Sequence, residues 1–156
     1  MSAMTKTNAL RLLDAAGISY ETREFEYAEA DPCGTSDPAL REQMFKTLVT
    51  RVEKRGLLVF CIPVDQELDL KKCAAAAGDK RVEMIHLKEL LPLTGYVHGG
   101  CSPVGMKKQY PTVFDETAEI IDTIMVSAGK IGFQVELEPA ALIELVGAET
   151  ADLTVD

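Results

Sequence analysis

Two apolar runs rich in β-branched and aromatic residues, Phe45 to Val52 and Leu57 to Val64, flank the polar turn Glu53-Lys54-Arg55-Gly56. A glycine-bearing turn between two such runs predicts an antiparallel hairpin. Any fold for this chain must therefore build on a paired strand here. On the first run, Lys46 shares a face with Leu48, Thr50 and Val52. A lysine on that face either snorkels from a strand end or is a cation held at the edge of a pocket.

The rest of the chain interleaves helices with further strands. Thr5 or Thr7 can cap a helix whose apolar positions are Ala9, Leu10, Leu12, Leu13 and Ala16, with Gly17 as its stop. Ile18 to Phe25 reads as a strand, with Ile18, Tyr20 and Thr22 on one face, and Ala28 to Ser36 as irregular. Asp37-Pro38 opens a short helix that runs to about Gln43. Leu68 starts a helix that ends at Gly78, followed by a strand from Arg81 to Met84 and a helical turn, Leu87 to Leu91, before Pro92. Further strands are expected at Pro111 to Asp115, Thr123 to Ser127 and Phe133 to Leu137. Glu116 to Glu119 and Ala128 to Gly132 read as turns, Pro139 to Val146 as a last helix, and the tail as an edge strand. Hairpins mixed with helices, without regular βαβ alternation, point to an α+β fold. The expectation is one domain over residues 1–156, with a curved, mixed, mostly antiparallel sheet and packed helices.

The stretch from Thr94 to Lys108 stands apart, because Gly95, Gly99, Gly100 and Gly105 clear side chains from one patch of backbone. Glycine admits positive φ and lets a ligand approach main-chain N–H groups. Pro103 holds Ser102 extended, and Lys107-Lys108 add positive charge beside the loop. The same pattern also serves as a plain connector with a solvated lysine pair.

Composition narrows the partners. The 156 residues carry a formal net charge of −9, which opposes unaided tight binding to a long nucleic-acid duplex and excludes DNA as an expected partner. The cations nevertheless cluster at Lys71-Lys72, Lys80-Arg81 and Lys107-Lys108, enough for a local basic rim. No apolar run approaches the roughly 20 residues that span a bilayer, and the first residues lack the apolar core of a signal peptide. A cytoplasmic protein is expected, with no membrane partner. Cys33, Cys61, Cys73 and Cys101 are scattered, as reduced thiols would be. His98 and Cys101 could share a metal, but no further ligands follow at a recognisable spacing, so neither metal nor cofactor is expected.

Several segments together resemble one family, and in order. They are Phe45-Lys46-Thr47-Leu48, Pro63-Val64, Leu68-Asp69-Leu70-Lys71-Lys72 and Lys80 to Met84. They continue with Thr94-Gly95-Tyr96, Gly99-Gly100-Cys101-Ser102-Pro103-Val104-Gly105, Lys107-Lys108, Pro111-Thr112, Val126 to Lys130 and Val135-Glu136-Leu137. From about Thr5 to Asp152 the chain resembles YbaK-type aminoacyl-tRNA deacylases, relatives of the editing domain of bacterial prolyl-tRNA synthetase. The resemblance implies clearance of Cys-tRNA(Pro), with mischarged tRNA as substrate and prolyl-tRNA synthetase as partner. It implies that Lys46 is the essential lysine, holding the terminal adenosine and phosphate region. It places Gly99, Gly100, Cys101, Ser102 and Pro103 in the loop that lines the aminoacyl pocket, and Phe25, Thr47, Ser127, Gly129 and Gln134 around it. Ala128 stands where relatives often have a second glycine, Gln134 where an aspartate is common, and the segment Ala28 to Met44 is shorter than usual. Alternatives are a deacylase for another small residue such as alanine, a thiol hydrolase using Cys101 and His98, and a non-catalytic module that captures aminoacyl-tRNA or a synthetase.

Overall fold

The structure, a computed structural model, describes residues 6–26 and 35–156. Cys33 and most of Ala28 to Ser36 lie outside the described residues.

Helix α1 (Asn8–Ala15) starts where the Thr7 hydroxyl accepts from the Leu10 N–H, and it buries Ala9, Leu10 and Leu13. The same hydroxyl donates to the Ala128 carbonyl at 2.5 Å, so one side chain caps the helix and ties it to a strand. β1 (Glu21–Glu24) is shorter than the expected strand, because only these residues lie opposite a partner. Ile18 and Tyr20 instead lean on the core. Helix α2 (Pro38–Gln43) begins at Asp37, whose carboxylate accepts from the Ala39 N–H. β2 (Phe45–Val52) and β3 (Gly56–Pro63) form the expected hairpin, with Phe45 opposite Pro63 and Val52 opposite Gly56.

Helix α3 (Leu70–Ala77) is capped by Asp69 and closed by Gly78 in the left-handed region. β4 (Val82–Met84) follows, then a 3-10 turn, Leu87–Glu89, that runs into α4 (Leu90–Thr94). The expected stop before Pro92 does not occur. Pro92 is the third residue of α4, where an N–H has no intrahelical partner to lose. β5 (Thr112–Asp115) leads into a 3-10 turn, Glu116–Ile120, where only a connecting turn was expected. β6 (Ile124–Lys130) extends three residues beyond the Ser127 at which the strand was expected to end. β7 (Phe133–Leu137), α5 (Pro139–Val146) and the edge strand β8 (Glu149–Ala151) complete the chain.

The fold is α+β with mixed, mostly antiparallel pairing, but hydrogen bonding divides it into two sheets. One has the order β4-β2-β3-β5-β8 and the other β1-β7-β6. β5 pairs in parallel with both neighbours, and the remaining strand pairs are antiparallel. A parallel bridge from Met44 to Met125 joins the sheets where β2 begins. Alternation along β3 sends Val59 and Cys61 into the core between the sheets, and Leu58, Phe60 and Ile62 toward α3. Phe60 and Phe114 are fully buried, and each such side chain contributes about 1.5–3 kcal/mol by leaving water. No helix among the described residues is long and apolar enough to cross a membrane.

Candidate active site

The junction of the two sheets leaves a cavity of about 360 Å³. The first residues of β2 supply one wall, including Lys46, Thr47 and Leu48. β6 and β7 supply the opposite wall through Ser127 and Gln134, which are partners in the strand register. The glycine loop after α4 closes a third side with His98, Gly99 and Cys101. Arg41 lies against the same cavity from α2.

Lys46 is half-buried and makes no ion pair or hydrogen bond among the described residues. Arg41 clasps Asp65 with its Nη2 at 2.6 Å and donates Nη1 to the Thr35 carbonyl at 2.8 Å. This guanidinium holds the Asp65 carboxyl below the usual carboxylate range, and the charge of Lys46 adds to the effect. Asp65 is thus paired with Arg41, while Lys46 acts on it only through space and keeps an ammonium available to an incoming phosphate.

The thiols on this side of the core are not poised as nucleophiles. Burial pushes the Cys101 thiol up to about 12, against a lesser lowering by a hydrogen bond with Thr94. Cys61, behind Thr47, is likewise pushed up to about 12 by burial, with its Sγ 3.7 Å from the Thr47 Oγ1. No hydrogen bond joins His98 and Cys101 among the described residues. A thiol hydrolase needs a thiolate beside a partner base, and this loop assembles neither. Among the described residues, no group of three or more His, Cys, Asp or Glu side chains could hold a metal ion.

Of the residues expected at the site, the cavity gathers Lys46, Thr47, Gly99, Cys101, Ser127 and Gln134. Gly100, Ser102, Pro103, Gly129 and Phe25 stand outside its lining and act on it through other residues. Ser102 is fully buried, and its Oγ accepts from the Val104 N–H, fixing the turn that contains Pro103. Gly99 carries the positive φ, 86°, whereas Gly100 does not enter the left-handed region. A Cβ on Gly100 would lie 3.1 Å from the Ile131 nitrogen and 3.3 Å from the Lys130 carbonyl carbon, so this glycine lets the loop touch the β6–β7 turn. A Cβ on Gly129 (φ 100°) would lie 2.9 Å from the Tyr96 ring. Phe25 donates its N–H to the Gly132 carbonyl at 2.7 Å and anchors the far side of the same turn. The Lys107 ammonium folds back onto the Pro92 carbonyl at 3.3 Å rather than facing the cavity. Sequence reasoning missed Arg41 and the apolar floor provided by Met44 and Leu90. Arg41 is recognisable only through a pairing that spans 24 residues, and the apolar residues look like ordinary core.

The sequence profile of the aminoacyl-tRNA editing domain family matches residues 37–145, which contain every cavity-lining residue named above. A candidate Cys-tRNA(Pro)/Cys-tRNA(Cys) deacylase of Enterococcus faecalis, EbsC, is 47% identical over 153 residues, 96% of this chain and 93% of that protein. The proline–tRNA ligase of Kosmotoga olearia is 29% identical over 125 residues, which are 80% of this chain and 20% of the ligase. Two solved structures share the fold. A candidate trans-editing enzyme for prolyl-tRNA synthetase superposes with a TM-score of 0.85 at 23% identity over 100% of both chains. A hypothetical protein gives 0.83 at 23% identity over 96% of this chain and 100% of the other. The chain therefore belongs to the aminoacyl-tRNA editing domain family and is, as a member of it, an editing deacylase.

Proposed function

We propose that this chain clears cysteine from mischarged Cys-tRNA(Pro), acting in trans in the cytoplasm beside prolyl-tRNA synthetase. The observation that carries the reading is a small cavity with a cation at its edge and, among the described residues, no hydrogen-bonded nucleophile–base pair in its wall. A site built this way contributes by positioning. Lys46 takes the phosphate and adenosine end of the tRNA, and the aminoacyl group enters between Thr47, Ser127 and the Gly99–Cys101 loop. The substrate's own thiolate attacks its carbonyl carbon. A C–S bond forms, the ester C–O bond breaks, and the ribose oxygen leaves and takes up a proton. Cysteine departs as a thiolactone. Loop N–H groups are the donors available to the developing oxyanion.

Serine and cysteine differ by one atom, and a cavity separates such neighbours weakly by size. Selectivity then comes from chemistry, because a thiol of pKa about 8.5 offers some thiolate near neutral pH and a hydroxyl offers none. The identity to the EbsC protein over nearly the whole chain supports cysteine as the aminoacyl group. The test is deacylation of Cys-, Ser- and Ala-tRNA(Pro) under identical conditions. Fast clearance of Cys with Ser largely spared is expected. Equal rates for Ser and Cys, or a preference for Ala, would overturn thiol self-attack and leave a deacylase for another small residue.

A further inference from the structure

The turn between β6 and β7 combines two observations that the site described above does not use. First, Ser127 pairs with Gln134 and Lys130 pairs with Phe133, so Ala128 and Gly129 have no residue opposite them. This is a bulge with two extra residues in β6, and bulges re-aim the side chain that follows. It is built firmly. The Ser127 Oγ accepts from the Gly129 N–H at 3.1 Å, the Thr7 hydroxyl donates to the Ala128 carbonyl, and Gly129 lies against Tyr96. Second, the residue delivered by the bulge is a lysine. Lys130 is exposed, and its ammonium stands 5.2 Å from the centre of the Phe133 ring. It has no carboxylate partner among the described residues. Six of the other cations, Lys6, Arg23, Arg41, Arg51, Lys72 and Arg81, are in ion pairs on this acidic chain.

The position of Lys130 gives this a direction. Its backbone touches Gly100, the neighbour of the cavity-lining Gly99, and Ser127, three residues earlier in the same strand, lines the cavity itself. Lys130 is not part of the cavity lining, but these contacts set its backbone beside the wall, and its ammonium is held over an aromatic face that attracts cations.

We propose that Lys130 is a positioning residue that takes a backbone phosphate of the tRNA acceptor end while the aminoacyl group occupies the cavity. Lys46 grips the strand at one edge of the mouth and Lys130 at the other, so the ester is set between two ionic contacts. The inference rests on the proposed tRNA substrate. Its chemistry is that of a point charge meeting a phosphate, without base readout.

Binding of uncharged tRNA(Pro) as a function of salt tests this without relying on turnover. One lost phosphate contact lowers the slope of log affinity against log salt by about 0.7. Counted down from 1 M, that is roughly a fivefold weakening near 0.1 M salt. Lys130→Ala is expected to show both effects and Lys130→Arg to restore them. Lys54→Ala, which removes the same charge from the far turn of the β2–β3 hairpin, is expected to show neither. Melting temperatures confirm that the variants are folded. In cleavage of Cys-tRNA(Pro), Lys130→Ala is expected to raise KM more than it lowers kcat. An unchanged slope and affinity in Lys130→Ala, or an equal loss in Lys54→Ala, would overturn the proposal. A wild type that binds tRNA as described but clears no cysteine would overturn the substrate reading and leave the phosphate contact standing.

Discussion

Gly105→Ala is expected to be among the most damaging single-methyl changes in this chain, and its cost separates into parts. Gly105 sits at φ 82°, where a side chain costs about 1–2 kcal/mol. The added Cβ would also lie 2.7 Å from the Tyr96 hydroxyl oxygen, 2.9 Å from the Ala9 nitrogen and 3.1 Å from the Asn8 carbonyl carbon. Two of those atoms are backbone of α1, and the third donates to the Val104 carbonyl at 2.6 Å. None can move without loosening α1 or breaking that hydrogen bond, and overpacking of this kind costs about 1–3 kcal/mol. The sum, about 2–5 kcal/mol, is a large share of the 5–15 kcal/mol or so that holds a domain folded. At about 2–4 °C per kcal/mol for a chain of this size, the melting temperature should fall by about 4–20 °C. Gly78→Ala is the control, because Gly78 has a similar φ of 67° but nothing within 4 Å of its Cβ position. It should show the backbone cost alone. Urea denaturation of both variants isolates the contact between loop and helix. If Gly105→Ala is no more costly than Gly78→Ala, that contact is not what holds the loop.

Lys46→Ala should abolish most deacylation while changing stability by no more than about 0.5 kcal/mol; near-wild-type turnover would remove Lys46 from the mechanism. Gly100→Val should lose both activity and about 1–3 kcal/mol, because the side chain meets the backbone of Lys130 and Ile131 rather than the substrate. A variant with wild-type melting and turnover would refute that contact. The Glu136 carboxyl is held below its ordinary value of 4.5 by the Thr123 hydroxyl and then by Arg23. A depressed folded-state value stabilises above the unfolded value and is lost as pH falls through the folded one. Urea midpoints of wild type and Glu136→Gln should therefore differ near neutral pH and converge below about pH 4.5. A gap that is constant with pH would assign Glu136 no ionic role.

What could be read from the sequence was local. Asp37-Pro38 and Glu138-Pro139 before helical runs, with Gly147 after the second, placed α2 and α5 because caps and fixed φ angles act within a few residues. The bulge in β6 was not legible. Ala128-Gly129-Lys130-Ile131-Gly132 holds two glycines and reads as one turn, but only Gly132 serves the turn, at φ 82°, while Gly129 at φ 100° gives way to Tyr96. That contact joins residues far apart in the chain, and no local pattern encodes it. Ser102 and Pro103 were placed at the cavity by family likeness. The structure uses them one step back, as the turn that holds the loop in place. The division into two sheets was equally hidden, because the Met44–Met125 bridge links segments that share no local signal.

The cavity wall bears on which sulfur does the chemistry. Cys101 lines it with a thiol pushed up to about 12, and Cys61 lies just behind at about the same value. On the proposed reading, the substrate's cysteine brings a thiol whose ordinary value is near 8.5 as long as it keeps contact with solvent. At any pH below both values, a thiol that keeps its solvent is therefore ionised far more often than either buried wall thiol. Burial thus silences the protein's own sulfurs in the place where a competing nucleophile would trap the ester as a stalled acyl-enzyme. Thr47 and Ser127 add hydroxyls to the wall, and among the described residues neither is hydrogen-bonded to a carboxylate or an imidazole that would activate it. The pH profile follows. After subtraction of spontaneous ester hydrolysis, kcat for Cys-tRNA(Pro) should rise about tenfold per pH unit and level off near 8.5, where the substrate's thiol is ionised. A rate that keeps climbing toward 12 would assign the attack to a wall thiol. A rate independent of pH between about 6 and 8 would exclude thiolate attack altogether.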